Sequence, residues 1–221
     1  MEEFSIETLR YLIKYPKDFS KSGKYPVLFL FHGAGSRHSD TSKLPTNVFF
    51  RITNKFEEFP FVVVAPLCSE NTWFDMWEKL KRMVKEVIAQ PYVDKERVYI
   101  MGTSMGVYAT WQMGMSLPEC FAAIVPICGG GMYWNAARLA GVPVWAFHGG
   151  QDKLVLPEES QKMVDAVNTR GGNATLTIYP NNKHDAWTDT YSNPEVYEWL
   201  LSHRNSNFVG DDHYDDAEKY G

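Results

Sequence analysis

The chain has 221 residues, 44% hydrophobic and 22% charged, with 22 Lys and Arg against 27 Asp and Glu for a net charge of −5. That length suffices for one substantial core, and the acidic balance, relieved only by Lys79, Lys81 and Arg82 on a helix face, excludes an electrostatic grip on nucleic acid. The longest apolar runs are of strand length, so no membrane partner is predicted, and Met1-Glu2-Glu3-Phe4 lacks the character of an export leader, so the expected location is the cytoplasm.

In chain order, Thr8 to Tyr15 reads as an extended strand closed by Pro16, and Tyr25 to Phe31 as a buried strand entering His32-Gly33-Ala34-Gly35. Phe61 to Ala65 is a third strand, stopped by Pro66. From Met76 to Ile88 the apolar residues Met76, Trp77, Leu80, Met83, Val84, Val87 and Ile88 recur with helical spacing, opposite Glu78, Lys81, Lys85 and Glu86. Arg97 to Met101 is predicted as a strand, Val107 to Leu117 as a helix ended by Pro118, and Phe121 to Ile127 and Val142 to Phe147 as further strands. Pro157 to Arg170 is a helix with Pro in its first turn and Gly171-Gly172 past its end. Thr175 to Tyr179 is the last strand and Pro194 to His203 the last helix.

Strands alternating with helices of crossover length predict a doubly wound, mostly parallel α/β sheet with helices on both faces, formed as one domain over 1–204. The remainder, 205–221, gathers Asp211, Asp212, Asp215, Asp216 and Glu218 and is expected to be a flexible extension. Cys68, Cys120 and Cys128 form no C-x-x-C, and their odd number argues against a disulfide framework.

Chemistry concentrates at the predicted carboxyl ends of strands, where such sheets place their sites. Gly102-Thr103-Ser104-Met105-Gly106 directly follows Arg97 to Met101 and precedes a helix, the context in which a G-x-S-x-G pattern holds a serine Oγ out on a sharp turn. A serine hydroxyl needs a base, and the base an orienting carboxylate. Of the downstream histidines, His213 lies in the acidic tail and His203 in the last helix, whereas His184 follows Asn181-Asn182-Lys183 just beyond a strand and is the candidate base. Asp152, on the glycine turn after a strand, is the candidate acid. Asp165 is mid-helix, and Asp185 adjoins His184 too closely. The oxyanion donors would be the backbone N–H groups of Met105 and Ala34. His32 and His148 read as loop anchors, and no metal-ligand spacing exists, so neither metal nor cofactor is predicted.

With these residues in place the sequence resembles the α/β-hydrolase superfamily, and within it the small feruloyl and acetyl-xylan esterases, polyhydroxybutyrate-depolymerase-like enzymes and predicted serine peptidases. The resemblance rests on Phe31-His32-Gly33-Ala34-Gly35, Ala65-Pro66-Leu67-Cys68 with Trp73, Val93 to Tyr99 leading into the serine turn, Phe147-His148-Gly149-Gly150-Gln151-Asp152, and His184. It implies the α/β-hydrolase fold and serine-ester chemistry. Val107 stands where such enzymes often carry a second glycine, and Ser36-Arg37-His38-Ser39 where Arg-Gly often follows, differences that bear on the acyl pocket.

Cys128 to Gly141 is too short for a helical cap, so an open site is predicted. Trp73, Trp134 and Trp187 could wall it or could equally be core. The expected substrates are short-chain or aromatic esters, small or polysaccharide-linked. A serine peptidase, or an acyl-protein thioesterase or lysophospholipase, would use the same three residues. A dienelactone-hydrolase-type enzyme is set aside here because it would carry cysteine at position 104.

Overall fold

Alternation along the strands decides the architecture of this protein, whose computed structural model describes residues 1–206. In β3 (Tyr25–Phe31), Val27, Phe29 and Phe31 enter one apolar layer while Leu28 and Leu30 enter the other. In β4 (Val62–Pro66), Val62 and Val64 oppose Val63 and Ala65 in the same way, and in β5 (Val93–Thr103) Val98 and Ile100 oppose Tyr99 and Met101. A pleated strand sends successive side chains to opposite faces, so strands apolar on both faces need cover on both.

Helices supply that cover. On one face lie α2 (Trp77–Ile88), α3 (Met105–Ser116) and α4 (Pro157–Thr169), which contribute Leu80, Val84, Val107, Trp111, Met163 and Val167 to the first layer. On the other lie α1 (Val48–Thr53), α5 (Trp187–Ser192) and α6 (Pro194–Ser202), contributing Phe49, Phe50, Tyr191, Val196 and Leu200. Each large aliphatic or aromatic side chain so buried stabilises the fold by about 1.5–3 kcal/mol relative to exposure. The ends of α4 follow the sequence signals: Pro157 occupies the first turn, and Gly171 takes φ +80° just past the last.

The sheet has eight strands in the order β1-β2-β4-β3-β5-β6-β7-β8, where β1 is Glu2–Ile6, β2 Leu9–Lys14, β6 Ala123–Ile127, β7 Val144–Gly149 and β8 Ala174–Tyr179. β1 pairs antiparallel with β2 and β2 with β4; every other pairing is parallel. The expected mostly parallel sheet with helices on both faces is the one observed, and it is an α/β-hydrolase fold. After β3 the chain crosses to one side and after β5 to the other, so the carboxyl ends of these adjacent strands flank the switch point where such sheets bind ligands.

Several short elements escape the periodicity. β1 is mostly exposed and, as Glu-Glu-Phe-Ser-Ile, has only half an apolar pattern to show; it pairs with β2 through a turn in which Glu7 has φ +52°. The 3₁₀ turns Ala34–Ser36, Thr41–Thr46 and Tyr133–Leu139 and the six-residue α1 and α5 are too brief for a helical repeat to register. Segment 128–141 forms only the Tyr133–Leu139 turns, and no large cap stands over the sheet among the described residues. No helix among them is long and apolar enough to cross a membrane.

The packed chain reaches Asn205, whose backbone N–H donates to Glu96 O (2.9 Å) and whose amide donates to Glu119 O (2.5 Å). The rest of the predicted acidic extension, from 207 on, lies outside the described residues.

Candidate active site

Ser104 stands between β5 and α3 with φ +51° and ψ −119°, a left-handed backbone position that a non-glycine residue occupies only when its surroundings hold it there. Its N–H donates to Ile127 O (3.0 Å), and its carbonyl accepts from Val107 N–H (2.9 Å). Gly106 makes the turn possible, since a Cβ there would come within 2.1 Å of Phe31 O. The elbow is thus pressed against the end of β3.

Two loops bring the partners. The Ser104 hydroxyl lies 2.8 Å from His184 Nε2, and His184 Nδ1 lies 2.6 Å from Asp152 Oδ2. Because the carboxylate can only accept, Nδ1 carries the proton and Nε2 is left free to accept from Ser104. Asp152 is buried, and its Oδ1 accepts from Leu154 N–H (2.9 Å) and Val155 N–H (3.0 Å). Burial pushes the Asp152 carboxyl up, but the hydrogen bonds from His184, Val155 and Leu154 outweigh it, and the group is held below its ordinary range. The loop after β8 is tied to the loop after β7 by Gly150 N–H to Tyr179 O (2.8 Å) and Gln151 N–H to Asn182 O (2.9 Å). The sequence-predicted serine, acid and base therefore meet.

His148, at the end of β7, is fully buried beside them. Its Nε2 lies 2.9 Å from Val155 O and 3.3 Å from Asp152 Oδ2, and its Nδ1 lies 2.7 Å from Ser160 Oγ on α4. Ser160 Oγ in turn lies 2.9 Å from Gly129 O.

The predicted oxyanion donors flank Ser104. Met105 opens α3 and Ala34 opens a 3₁₀ turn, so both N–H groups belong to first turns and have no partner within their own helix. His32 fixes the Ala34 loop: Nδ1–H donates to Gly33 O (2.8 Å), and Nε2 accepts from Cys68 N–H (3.0 Å). Burial pushes the His32 imidazole down to about 4, with Arg37 adding to the effect and the Gly33 bond opposing it. His32 is a loop anchor, as expected.

Of the three tryptophans, only Trp187 lines the cleft, its ring edge-on to His184 with centroids 5.3 Å apart. Trp73 is a correction. It is buried, and its indole N–H donates to His32 O (3.1 Å), so it braces the oxyanion loop from within the core instead of facing substrate. Trp134 is 63% exposed but lies on the Tyr133–Leu139 turns, outside the cleft lining, packed edge-on against Tyr133.

The cleft at Ser104 holds about 480 Å³ and is walled by Gly33 to Ser36, Thr103, Leu154, His184, Trp187 and Tyr191, with Lys43, Thr46, Asn47 and Val48 on the far side. Sequence reasoning missed that far wall. Its one local signal is Asn47, whose side chain accepts from Phe49 N–H (2.9 Å) and caps α1.

One group of potential metal ligands falls here, Cys128, Asp152 and His184, with ligand atoms within 4.8 Å of one another. Burial pushes the Cys128 thiol up to about 12, so it stays protonated, and the carboxylate is already engaged by His184. The set suits the serine relay better than a cation.

Comparison with known proteins agrees with this picture. Residues 50–202 match the dienelactone hydrolase family. The chain is 23% identical over 182 residues to the bifunctional acetylxylan esterase/xylanase XynS20E of Neocallimastix patriciarum, covering 79% of this chain but 26% of that one. Among solved structures, a thermostable esterase superposes with a TM-score of 0.74 and 29% identity over 92% of this chain and 62% of its own. Est1E from Butyrivibrio proteoclasticus superposes with a TM-score of 0.67 over 91% and 97%, at 15% identity, a likeness of fold. The chain thus spans about a quarter of that relative's length. The sequence reading set aside a dienelactone-hydrolase-type enzyme because Ser104 is not cysteine, and the family match is found with serine in that place. With Ser104 in that place, the chain belongs to the dienelactone hydrolase family.

Proposed function

We propose that this chain is a serine carboxylic-ester hydrolase that works through an acyl-enzyme on short-chain or aromatic esters, acetyl or hydroxycinnamoyl groups on plant polysaccharide among them. The observation that carries the reading is the continuous relay from Ser104 Oγ to His184 Nε2 (2.8 Å) and from His184 Nδ1 to Asp152 Oδ2 (2.6 Å). The acetylxylan esterase relative and the esterase fold neighbours support the same chemistry.

In this reading, His184 takes the Ser104 proton as Oγ attacks the ester carbonyl, and the imidazolium is stabilised by the buried Asp152 carboxylate. The carbonyl oxygen becomes an oxyanion between the N–H groups of Met105 and Ala34, each of which typically contributes about 3 kcal/mol in such sites. Collapse of the intermediate breaks the C–O bond to the alcohol, which leaves with the proton from His184. Water then repeats the sequence on the acyl-enzyme, releasing the acid and restoring Ser104. Trp187 offers a flat edge beside the base, and Val48, Leu154 and Tyr191 give the cleft apolar surface.

The test is turnover of a panel of p-nitrophenyl esters, methyl ferulate and acetylated xylan by the wild-type chain and by Ser104→Ala. The reading requires ester hydrolysis that Ser104→Ala loses. Peptide and thioester substrates in the same panel decide whether the relay serves a peptidase or thioesterase instead, and turnover confined to them would overturn the ester assignment.

A further inference from the structure

We infer that His148 is a positioning residue for the relay: its Nε2–H, fixed by a hydrogen bond to Val155 O, stands 3.3 Å from Asp152 Oδ2, and its positive end limits how strongly the carboxylate holds the His184 imidazolium. The inference rests on the serine-hydrolase reading above. It begins with a proton inventory. Val155 O can only accept, so the His148 Nε2 that lies 2.9 Å from it must carry hydrogen. That same N–H faces Asp152 Oδ2 at 3.3 Å, and both side chains are fully buried.

On the other side of the ring, Nδ1 meets Ser160 Oγ at 2.7 Å, and Ser160 Oγ lies 2.9 Å from Gly129 O. Whichever way the Ser160 hydroxyl points, the Nε2 proton stays where it is. One ring therefore ties the end of β7 to α4, to the backbone after β6 and to the acid of the relay. Asp152 Oδ1 accepts from the N–H groups of Leu154 and Val155 and Oδ2 from His184, while the His148 N–H stands 3.3 Å from Oδ2 without a hydrogen bond to it.

Few other charges face this cluster. Cys128, from the end of β6, is protonated; Asp185 follows His184 in the loop after β8; and Glu159 on α4 packs its carboxylate over Gly130. None of these donates to Asp152. If the His148 N–H is removed, its positive end no longer stabilises the charge on Oδ2, and the carboxylate holds the His184 proton more strongly. His184 then stays protonated to higher pH and is less often ready as the base. A merely structural role predicts the opposite, since a loosened Asp152 supports the imidazolium less.

Two substitutions separate the two ends of the ring. His148→Gln keeps an N–H near the Nε2 position and loses the link to Ser160, whereas His148→Asn keeps a group near Nδ1 and loses the N–H beside Asp152. The expected result for His148→Asn, with p-nitrophenyl acetate, is a fall in kcat/KM of about threefold on the acid side of the profile, with the high-pH plateau little changed. The acid limb of its kcat/KM profile should move up by on the order of half a pH unit. His148→Gln should keep a profile close to wild type. An unshifted or lowered limb in His148→Asn, or equal damage in His148→Gln, would overturn the inference. If His148→Asn does not fold, the wild-type chain carries the test: ¹⁵N-histidine NMR must find His148 protonated at Nε2 across the active pH range, and an Nδ1–H tautomer sinks the idea. Wild-type turnover of p-nitrophenyl acetate tests the hydrolase reading separately, because the tautomer is read without it.

Discussion

Gly149 lies directly beneath Lys183: a Cβ built on Gly149 would come within 2.0 Å of Lys183 O and 2.6 Å of Asn182 O. The loop carrying the base thus rests on the bare backbone of the loop carrying the acid. Glycine is required at this position by contact, since its φ is not in the left-handed region. Gly149→Ala must push residues 182–184 outward, and a displacement of about 1 Å in a catalytic group costs on the order of 100-fold in rate. The expected outcome is a large loss of kcat with a loss of thermal stability, read by p-nitrophenyl ester kinetics and differential scanning calorimetry. A variant as active as wild type would mean that the Lys183 loop yields without carrying His184 with it.

Ser104→Ala should abolish turnover while leaving the fold intact, because Oγ points into an open cleft and its removal leaves the core untouched. Loss of a member of such a relay typically costs several orders of magnitude. A fluorophosphonate should label the protein once, at Ser104, and both Asp152→Asn and His184→Ala should suppress labelling, since the reagent needs a serine activated by an oriented imidazole. Peptide mapping by mass spectrometry checks the site. An adduct on another serine would remove Ser104 from the role.

A third expectation concerns pH and stability. His32 is held neutral down to about 4, while in the unfolded chain it titrates near about 6.5. Between those values the unfolded chain binds a proton that the folded chain refuses, so stability is full above about pH 6.5 and falls as pH drops through this window, by on the order of a few kcal/mol. Protonation would also set an N–H on Nε2 against the Cys68 N–H that now donates to it. Urea midpoints for wild type and His32→Asn from pH 7.5 to 4 check this: the variant should be less stable at neutral pH and should lose part of the acid slope. An identical slope would assign the acid lability elsewhere. Asp152, whose carboxyl is held low, contributes a loss only at still lower pH.

The parts of the site that were legible in the sequence are those whose chemistry leaves a local trace. Ser104 sits between glycines, Asp152 follows a glycine turn, and His184 is the one downstream histidine in a loop after a strand, so strand, turn and residue type coincide at each. Trp73 could be read as wall or as core because a tryptophan near a site in sequence leaves no sign of which side it faces; in the fold its indole N–H donates to the buried His32 carbonyl. The wall from Lys43 to Val48 was invisible because short 3₁₀ turns have neither helical nor strand periodicity, and they reach the cleft only by tertiary packing. β1 was missed for a related reason: as an edge strand with one half-buried face, it is held by pairing with β2 more than by its own apolar pattern.

The cleft also sets an expectation for acyl length. Its volume of about 480 Å³ is bounded by Val48, Leu154, Trp187 and Tyr191, and Leu154 is 76% exposed, so the apolar surface near Ser104 is short and open to solvent on one side. Each further CH₂ gains about 0.8 kcal/mol only where a wall removes it from water, so the gain should end after the first few carbons. The specificity constant is therefore expected to peak at acetyl or butyryl among acetyl, butyryl, octanoyl and palmitoyl p-nitrophenyl esters. Methyl ferulate should be accepted through the Trp187 edge, and Trp187→Ala should lower kcat/KM for ferulate more than for acetate, since only the aromatic acyl group reaches the indole. The measurement is kcat/KM for each ester with both proteins. A maximum at palmitoyl, or a Trp187→Ala effect equal for the two acids, would show that a longer apolar path leads away from Ser104 and that Trp187 supports His184 without touching the acyl group.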